Sequence, residues 1–482
     1  TATQYEEKAD SFKSRTVVQV WRMYDAALRE EGALDFDDLL VRTLQLLQNS
    51  PRVLELLRGR WEYITMDEYQ DTNTAQYEIA RLLAGAKQNL CVVGDGDQLI
   101  YEWRGANVEH FLAFEKSFPG TKVILLEQNY RSTRTIIATA NAVISKNKRR
   151  KEKNLFTDND TGEPLVSYGA RNEMDEAWFV AQTAIGLLEE GINPSSIAIL
   201  YRENFQSRAL EEALLAFSVP YRVLGTRFFE RKEVKDVLSY LRAALNPKSR
   251  GDLVRIAAVP PRGIGKITLD KMLSGDESGI TGATKIKVDA FRDSVKMIKH
   301  AIDTLPASEA VRYCVEASGM EAMYKNDKEE GEERLENIHE LVNLAVRYDD
   351  TLPPEGIERP LEAAALQRDQ DELEVPQAAV SLMTVHASKG LEFDAVFVTG
   401  LEQGLFPSIR EDTRDPEEER RLFYVALTRA RKRIFLSHAS ERMKYGSRER
   451  ALASEFLRDI DPRLVVQRRP SLLEGPDEYV IR

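Results

Sequence analysis

A short apolar run that stops at two adjacent carboxylates constrains this chain more than any other feature. Tyr63-Ile64-Thr65-Met66 is rich in strand formers and ends at Asp67-Glu68. In a parallel α/β sheet, ligands bind outside the carboxyl ends of the strands. An acid pair at such an end suits a nucleotide site. One carboxylate would hold Mg²⁺, directly or through a water, and the other would orient and deprotonate an attacking water. A lone acid pair also fits a strand followed by an acidic turn, so the weight lies with the residues C-terminal to it.

Two further strand ends come next in order. Leu90-Cys91-Val92-Val93 reads as a strand running into Gly94-Asp95-Gly96-Asp97-Gln98. Glycines there let the backbone turn tightly beside a ligand, and Gln98 could place a water or sense a phosphate. Tyr101, Trp103 and Arg104 come next, and aromatics beside an arginine suit stacking on single-stranded bases. A third strand is predicted over Val123 to Leu126, with Ser132 as N-cap of a helix from Thr133 to Ile144. Arg131 then sits where a strand end meets a helix start, good ground for a phosphate contact. Acid pair, glutamine and arginine at three successive strand ends are hard to obtain from solvated turns.

The 482 residues are too many for one core, and two to four domains are expected. Two cysteines far apart, Cys91 and Cys314, exclude a disulfide framework and fit a reducing compartment; Cys91 reads as a buried small hydrophobe. No apolar run is long enough to span a membrane. A net charge of −12 does not itself suggest a nucleic-acid partner, but a local basic groove decides that matter, and Lys146 to Lys153 is basic. The five histidines do not cluster at metal-ligand spacing.

Residues 1–60 read as helical, with a helix opening at Asp35 and Phe36 as a core residue. Composition changes near Thr161-Gly162. A second α/β unit comes after it, with strands over 197–201 and 221–224 and helices over 208–217 and 234–244. From about 248 to 375 the chain reads as an inserted helical domain. In it, Arg262, Gly263 and Gly265 precede a helix from Thr268, and the Gly-x-Gly backbone could bind a DNA phosphate. The α/β pattern resumes with strands over 381–385 and 395–399. A charged helix over 417–433 carries Arg429 near its end, and a strand over 434–437 comes last.

Asp67–Asn73 (DEYQDTN), Gly94–Ala106 (GDGDQLIYEWRGA), Leu126–Thr133 (LEQNYRST), Thr384–Phe393 (TVHASKGLEF) and Tyr424–Ala430 (YVALTRA) together resemble the UvrD/PcrA/Rep group of superfamily 1 DNA helicases. Their order and spacing match, as does Phe228–Arg242 (FFERKEVKDVLSYLR), and the likeness covers nearly the whole chain. The resemblance implies an α/β fold of two RecA-like parallel-sheet motor domains with inserted helical domains. ATP sits between the motors, which translocate 3′ to 5′ on single-stranded DNA. It implies a remnant of the first inserted domain over 1–33 and the first motor over 34–162. The second motor would occupy 163–247 and 376–465, interrupted by the second inserted domain over 248–375, with a tail over 466–482.

By motif position, Asp67 and Glu68 resemble the Mg²⁺ and general-base carboxylates, and Gln98 the residue coupling the γ-phosphate to DNA. Arg131 and Arg429 resemble the two γ-phosphate arginines, one from each motor. Tyr130 resembles the aromatic on adenine, and Gly390 and Glu392 the ribose and triphosphate contacts. Tyr101, Trp103, Arg104 and His386 resemble single-strand contacts, and Arg262 to Gly265 the element gripping duplex DNA. The implied cofactors are ATP and Mg²⁺, and the implied partners are single-stranded DNA, its junctions with duplex and repair proteins, in a bacterial cytoplasm.

The sequence departs from the pattern in having no G-x-x-x-x-G-K-[ST] phosphate loop, since Gly263-Ile264-Gly265-Lys266 has the wrong spacing and context. The expectation is a helicase lacking its N-terminal portion, with ATP hydrolysis by this chain badly impaired. Gly96, Leu99 and Glu102 are smaller departures. No nuclease motif is recognisable at the C-terminus. The competing reading is a non-catalytic DNA-binding or regulatory protein derived from a helicase. It is disfavoured by retention of the acid pair and both arginines.

Overall fold

The computed structural model describes residues 2–102, 105–106, 108–274, 279–371, 378–409, 416–444 and 446–470. Trp103 and Arg104 lie outside the described residues, as does most of the tail expected over 466–482. The packing forms two compact units, residues 1–124 and 125–482. Among the described residues, no helix is long and apolar enough to cross a membrane.

In the first unit, β1 (Ile64–Met66) pairs in parallel with β2 (Leu90–Val92), so the two chain segments leave the sheet at the same end. Helices Phe36–Asn49, Pro51–Arg60 and Thr74–Ala84 pack on one another, and the last shares a small core with Met66, Leu90 and Val92. Asp35 caps the first of them as expected, its carboxylate accepting from Asp38 N, but Phe36 points outward at 90% exposure. Cys91 is exposed and not a buried hydrophobe, because the two-stranded sheet leaves one side-chain row uncovered. Residues 123–126 do not form the expected strand. No neighbouring strand pairs with them among the described residues, and all four side chains are exposed.

The second unit is built on seven strands, β3 (Leu165–Ala170), β4 (Ile197–Tyr201), β5 (Tyr221–Val223), β6 (Val380–Thr384), β7 (Phe393–Val398), β8 (Ala430–Ala439) and β9 (Val465–Arg468). They form one sheet of order β9-β3-β8-β7-β4-β6-β5, parallel throughout. β4 is buried at every position and reads as a continuous apolar run, as a strand covered on both faces must. The helical insert runs between β5 and β6, which are adjacent in the sheet, and has its own core around Tyr240, Phe291 and Tyr324. Arg442 is buried between Glu176 and Glu402; its Nε meets Glu402 at 2.6 Å, and a second nitrogen reaches Glu176.

One expectation at the edge of this unit is corrected. The helix predicted over 417–433 spans Pro416–Thr428, and residues from Ala430 belong to β8. The parallel pairing of Ala430 with Phe393 and of Arg433 with Ala395 outweighs the helical reading of the charged run. The packing divides after residue 124, within the stretch expected as the first motor domain. Helix Arg134–Ile144 packs on helix Pro416–Thr428, and Ser132 Oγ donates to the Ala430 carbonyl at 2.6 Å, in the second unit.

Candidate functional site

In the first unit the acid pair and Gln98 belong to one hydrogen-bonded relay. The Val93 amide donates to Met66 and the Tyr69 amide to Val93, so parallel pairing continues past both strand ends. Gln70 lies between the turns, 1% exposed. Its Nε2 donates to the Glu68 carboxylate, and its Oε1 accepts the Asp95 amide at 2.9 Å. Asp95 in turn accepts the Gln98 side-chain amide at 2.9 Å. A Cβ on Gly94 would lie 2.5 Å from Gln70 Oε1, so this close approach needs glycine.

Glu68 has φ 48° and ψ 41°, a left-handed conformation that costs a non-glycine residue roughly 1 kcal/mol or more. The turn is held by the Glu68 amide donating to Asp67 Oδ1 at 2.9 Å and by Gln70. Both carboxylates are exposed at the strand end. Mg²⁺ is commonly held by one or two carboxylates together with substrate phosphates, and this donor set fits that mode.

In the second unit Arg131 and Arg429 lie close together, Arg131 bonding the carbonyl of the residue that precedes Arg429. Asn129 Oδ1 accepts both the Arg131 and Ser132 amides at 2.9 Å, a side-chain turn that fixes Arg131. Thr133, not Ser132, is the helix N-cap. Arg131 Nε donates to Glu392 at 2.5 Å and Nη1 to the Thr428 carbonyl at 3.1 Å. Arg429 is 2% exposed, with Nη1 donating to the Leu391 carbonyl at 3.1 Å and Nε to the Val425 carbonyl at 3.1 Å. Hydrogen bonds from Arg431 and Arg131 hold the Glu392 carboxyl below its usual range. Tyr130 is 79% exposed, its hydroxyl donating to Gln128 at 2.9 Å, which leaves its ring available for stacking. Gly390 is exposed with φ 84°, on the turn leading to Glu392.

Tyr101 is half-buried in the first unit, and His386 comes after β6 in the second. Arg262 makes bonds within the insert. Its Nη1 donates to the Ile256, Val259 and Pro260 carbonyls at 3.0–3.2 Å and its Nη2 to Ser318 at 2.6 Å. Its guanidinium also lies over Phe291 at 5.5 Å. It therefore shapes the loop and leaves the exposed Gly263 and Gly265 backbone as the surface any phosphate would meet; the next helix starts at Lys266. Gln70, Asn129 and Arg431 were not singled out from sequence. The only signal was their place inside the motifs, since none is chemically conspicuous.

A family model described as UvrD-like helicase C-terminal domain matches residues 124–441, and one described as UvrD/REP helicase N-terminal domain matches residues 1–119. The chain belongs to the UvrD-like helicase family. The boundary between the two matches falls where the packing divides. The chain is 39% identical over 478 residues to a protein named ATP-dependent DNA helicase PcrA from Staphylococcus epidermidis, covering 94% of this chain and 65% of that protein. Proteins of the same name from Staphylococcus aureus and Bacillus subtilis are each 39% identical, covering 96% and 95% of this chain and 67% and 65% of their own lengths. A solved C-terminal domain of a possible DNA helicase from a Lactobacillus aligns with 70% of this chain and 98% of its own. Its 13% identity and TM-score of 0.29 are too low to bear on the fold.

Proposed function

We propose that this chain supplies most of an ATP-dependent DNA helicase that moves 3′ to 5′ along single-stranded DNA, in DNA repair or replication restart. The observation that carries the reading is the relay from Glu68 through Gln70 and Asp95 to Gln98. A protein freed from hydrolysis would have no need to hold an acid pair and a glutamine at two strand ends in one register. Asp67 and Glu68 would hold Mg²⁺ with the phosphates of ATP, and the metal when bound neutralises phosphate charge. Glu68 would also accept the proton of the attacking water. Arg131 and Arg429 would carry negative charge on transferring phosphate, where preorganised cations count most. Tyr130 would stack on the adenine, with Gly390 and Glu392 alongside the sugar and phosphates. Tyr101, His386 and the Gly263–Gly265 backbone would contact DNA. Because these 482 residues contain no phosphate loop, hydrolysis is assigned to these elements acting together with such a loop.

Two measurements on this chain test the reading. Anisotropy of a labelled oligothymidylate should report binding that weakens steadily with salt, as counterion release requires. ATP hydrolysis should not exceed that of Glu68→Gln, with or without DNA. No binding even at low salt would overturn the DNA assignment. Hydrolysis that DNA stimulates and Glu68→Gln abolishes would overturn the need for a separate loop.

A further inference from the structure

Glu392 stands between two arginines, only one of which has been given a role. One carboxylate oxygen accepts Arg131 Nε at 2.5 Å, and the other accepts an Arg431 nitrogen. The side chains of Arg131, Glu392 and Arg431 are 31%, 37% and 45% exposed. Two further charges face the group: Asp394 lies 3.9 Å from Arg431 and 3.2 Å from Lys432. The backbone ties both arginines to one place. Ser132 Oγ donates to the Ala430 carbonyl at 2.6 Å, and the Thr133 amide donates to the Arg431 carbonyl at 3.1 Å.

We propose that Glu392 is a placeholder anion for Arg131, and that Arg431 is the positioning residue that keeps Glu392 when a phosphate takes Arg131. This rests on reading Arg131 as a phosphate contact. Ion pairs this exposed are individually weak and exchange readily. A polyphosphate offers a guanidinium more charge and more acceptor oxygens than a carboxylate does. What limits the exchange is the fate of Glu392. With Arg131 as its sole partner, the carboxylate would lose its only cation when the arginine turned away. With Arg431 on its other oxygen it keeps a charged donor, and Arg131 is released more easily. No proton changes hands; one guanidinium exchanges a carboxylate for a phosphate. The low proton affinity of Glu392 is consistent with its remaining a carboxylate throughout.

The test is a titration of this chain, carrying ¹⁵N-labelled arginine, with inorganic tripolyphosphate. The Arg131 Nε–H resonance is followed after its identification by loss in Arg131→Lys. Arg431→Gln should raise the tripolyphosphate concentration at half-shift by roughly two- to fivefold, the range of exposed ion pairs. Arg431→Lys keeps the charge and should restore the wild-type midpoint. Glu392→Gln should lower the midpoint, and combined with Arg431→Gln it should cancel the effect of the latter. Equal midpoints in wild type and Arg431→Gln would overturn the exchange while leaving Arg131 a phosphate contact. A resonance that moves in no variant would overturn the phosphate reading of Arg131, and the exchange with it.

Discussion

Gln70 is the residue on which the first unit's site depends, and Gln70→Leu isolates what it does. Leucine has similar bulk but neither donates nor accepts. The Asp95 amide would lose its 2.9 Å acceptor in a half-buried turn, at about 1–2 kcal/mol. Glu68 would lose its donor too. That carboxylate is exposed and water can replace the bond, so about 0.5–1 kcal/mol is reasonable there. The combined loss is about 1.5–3 kcal/mol and falls on the opening of the 93–98 turn. Unfolding of the whole unit is affected less directly. Hydrogen exchange in peptides covering Val93 to Gln98 should accelerate by about 10- to 100-fold under native conditions. Peptides from β4, in the other unit, should not change. Exchange within about threefold of wild type at Asp95 would refute the relay as the element holding these two strand ends together.

Three further outcomes are expected. Arg262→Ala removes four carbonyl contacts and the stack on Phe291, so it should destabilise the helical insert by about 2–4 kcal/mol in urea unfolding; lost DNA affinity with unchanged stability would contradict the structural role. Arg442→Met strands the Glu176 and Glu402 carboxylates in the interior and should cost about 3–5 kcal/mol by the same measurement. Burial holds the His339 imidazole down to about 4, against 6.5 ordinarily, so the unfolded chain binds this proton more readily than the folded insert. The stability tied to it is present above about 6.5 and is lost as pH falls towards 4. The urea midpoint of His339→Gln should therefore vary less between pH 7.5 and pH 5 than that of the wild type.

Much of this was legible in the chain because it depends on local chemistry. A β-rich run ending at Asp67-Glu68 must place its acids at a strand end, and the motif order around Arg131, Glu392 and Arg429 carries the family with it. The helical insert showed through its own composition. What misled was covering and pairing. Cys91 and Phe36 have buried character, yet a two-stranded sheet and an exposed helix start give them nothing to pack against. Val123 to Leu126 have strand propensity, yet a strand exists only where another chain segment accepts its ladder.

Which chemical groups this protein carries, and in what order, can be read along the chain, because residue type and spacing are local properties. Their partnerships come from the fold. Arg262 reads as a phosphate ligand in the sequence, and the fold turns its two terminal nitrogens onto four carbonyls, one of them 56 residues away. Arg131 and Arg429 are 298 residues apart in sequence, and they meet because Ser132 and Thr133 bond to the first residues of β8. Gln70 gave no sign of its role, since only the parallel pairing of β1 with β2 brings Asp95 within its reach. Which donor finds which acceptor is fixed by the fold, because hydrogen bonds act only over about 3 Å and chain separation does not measure that distance.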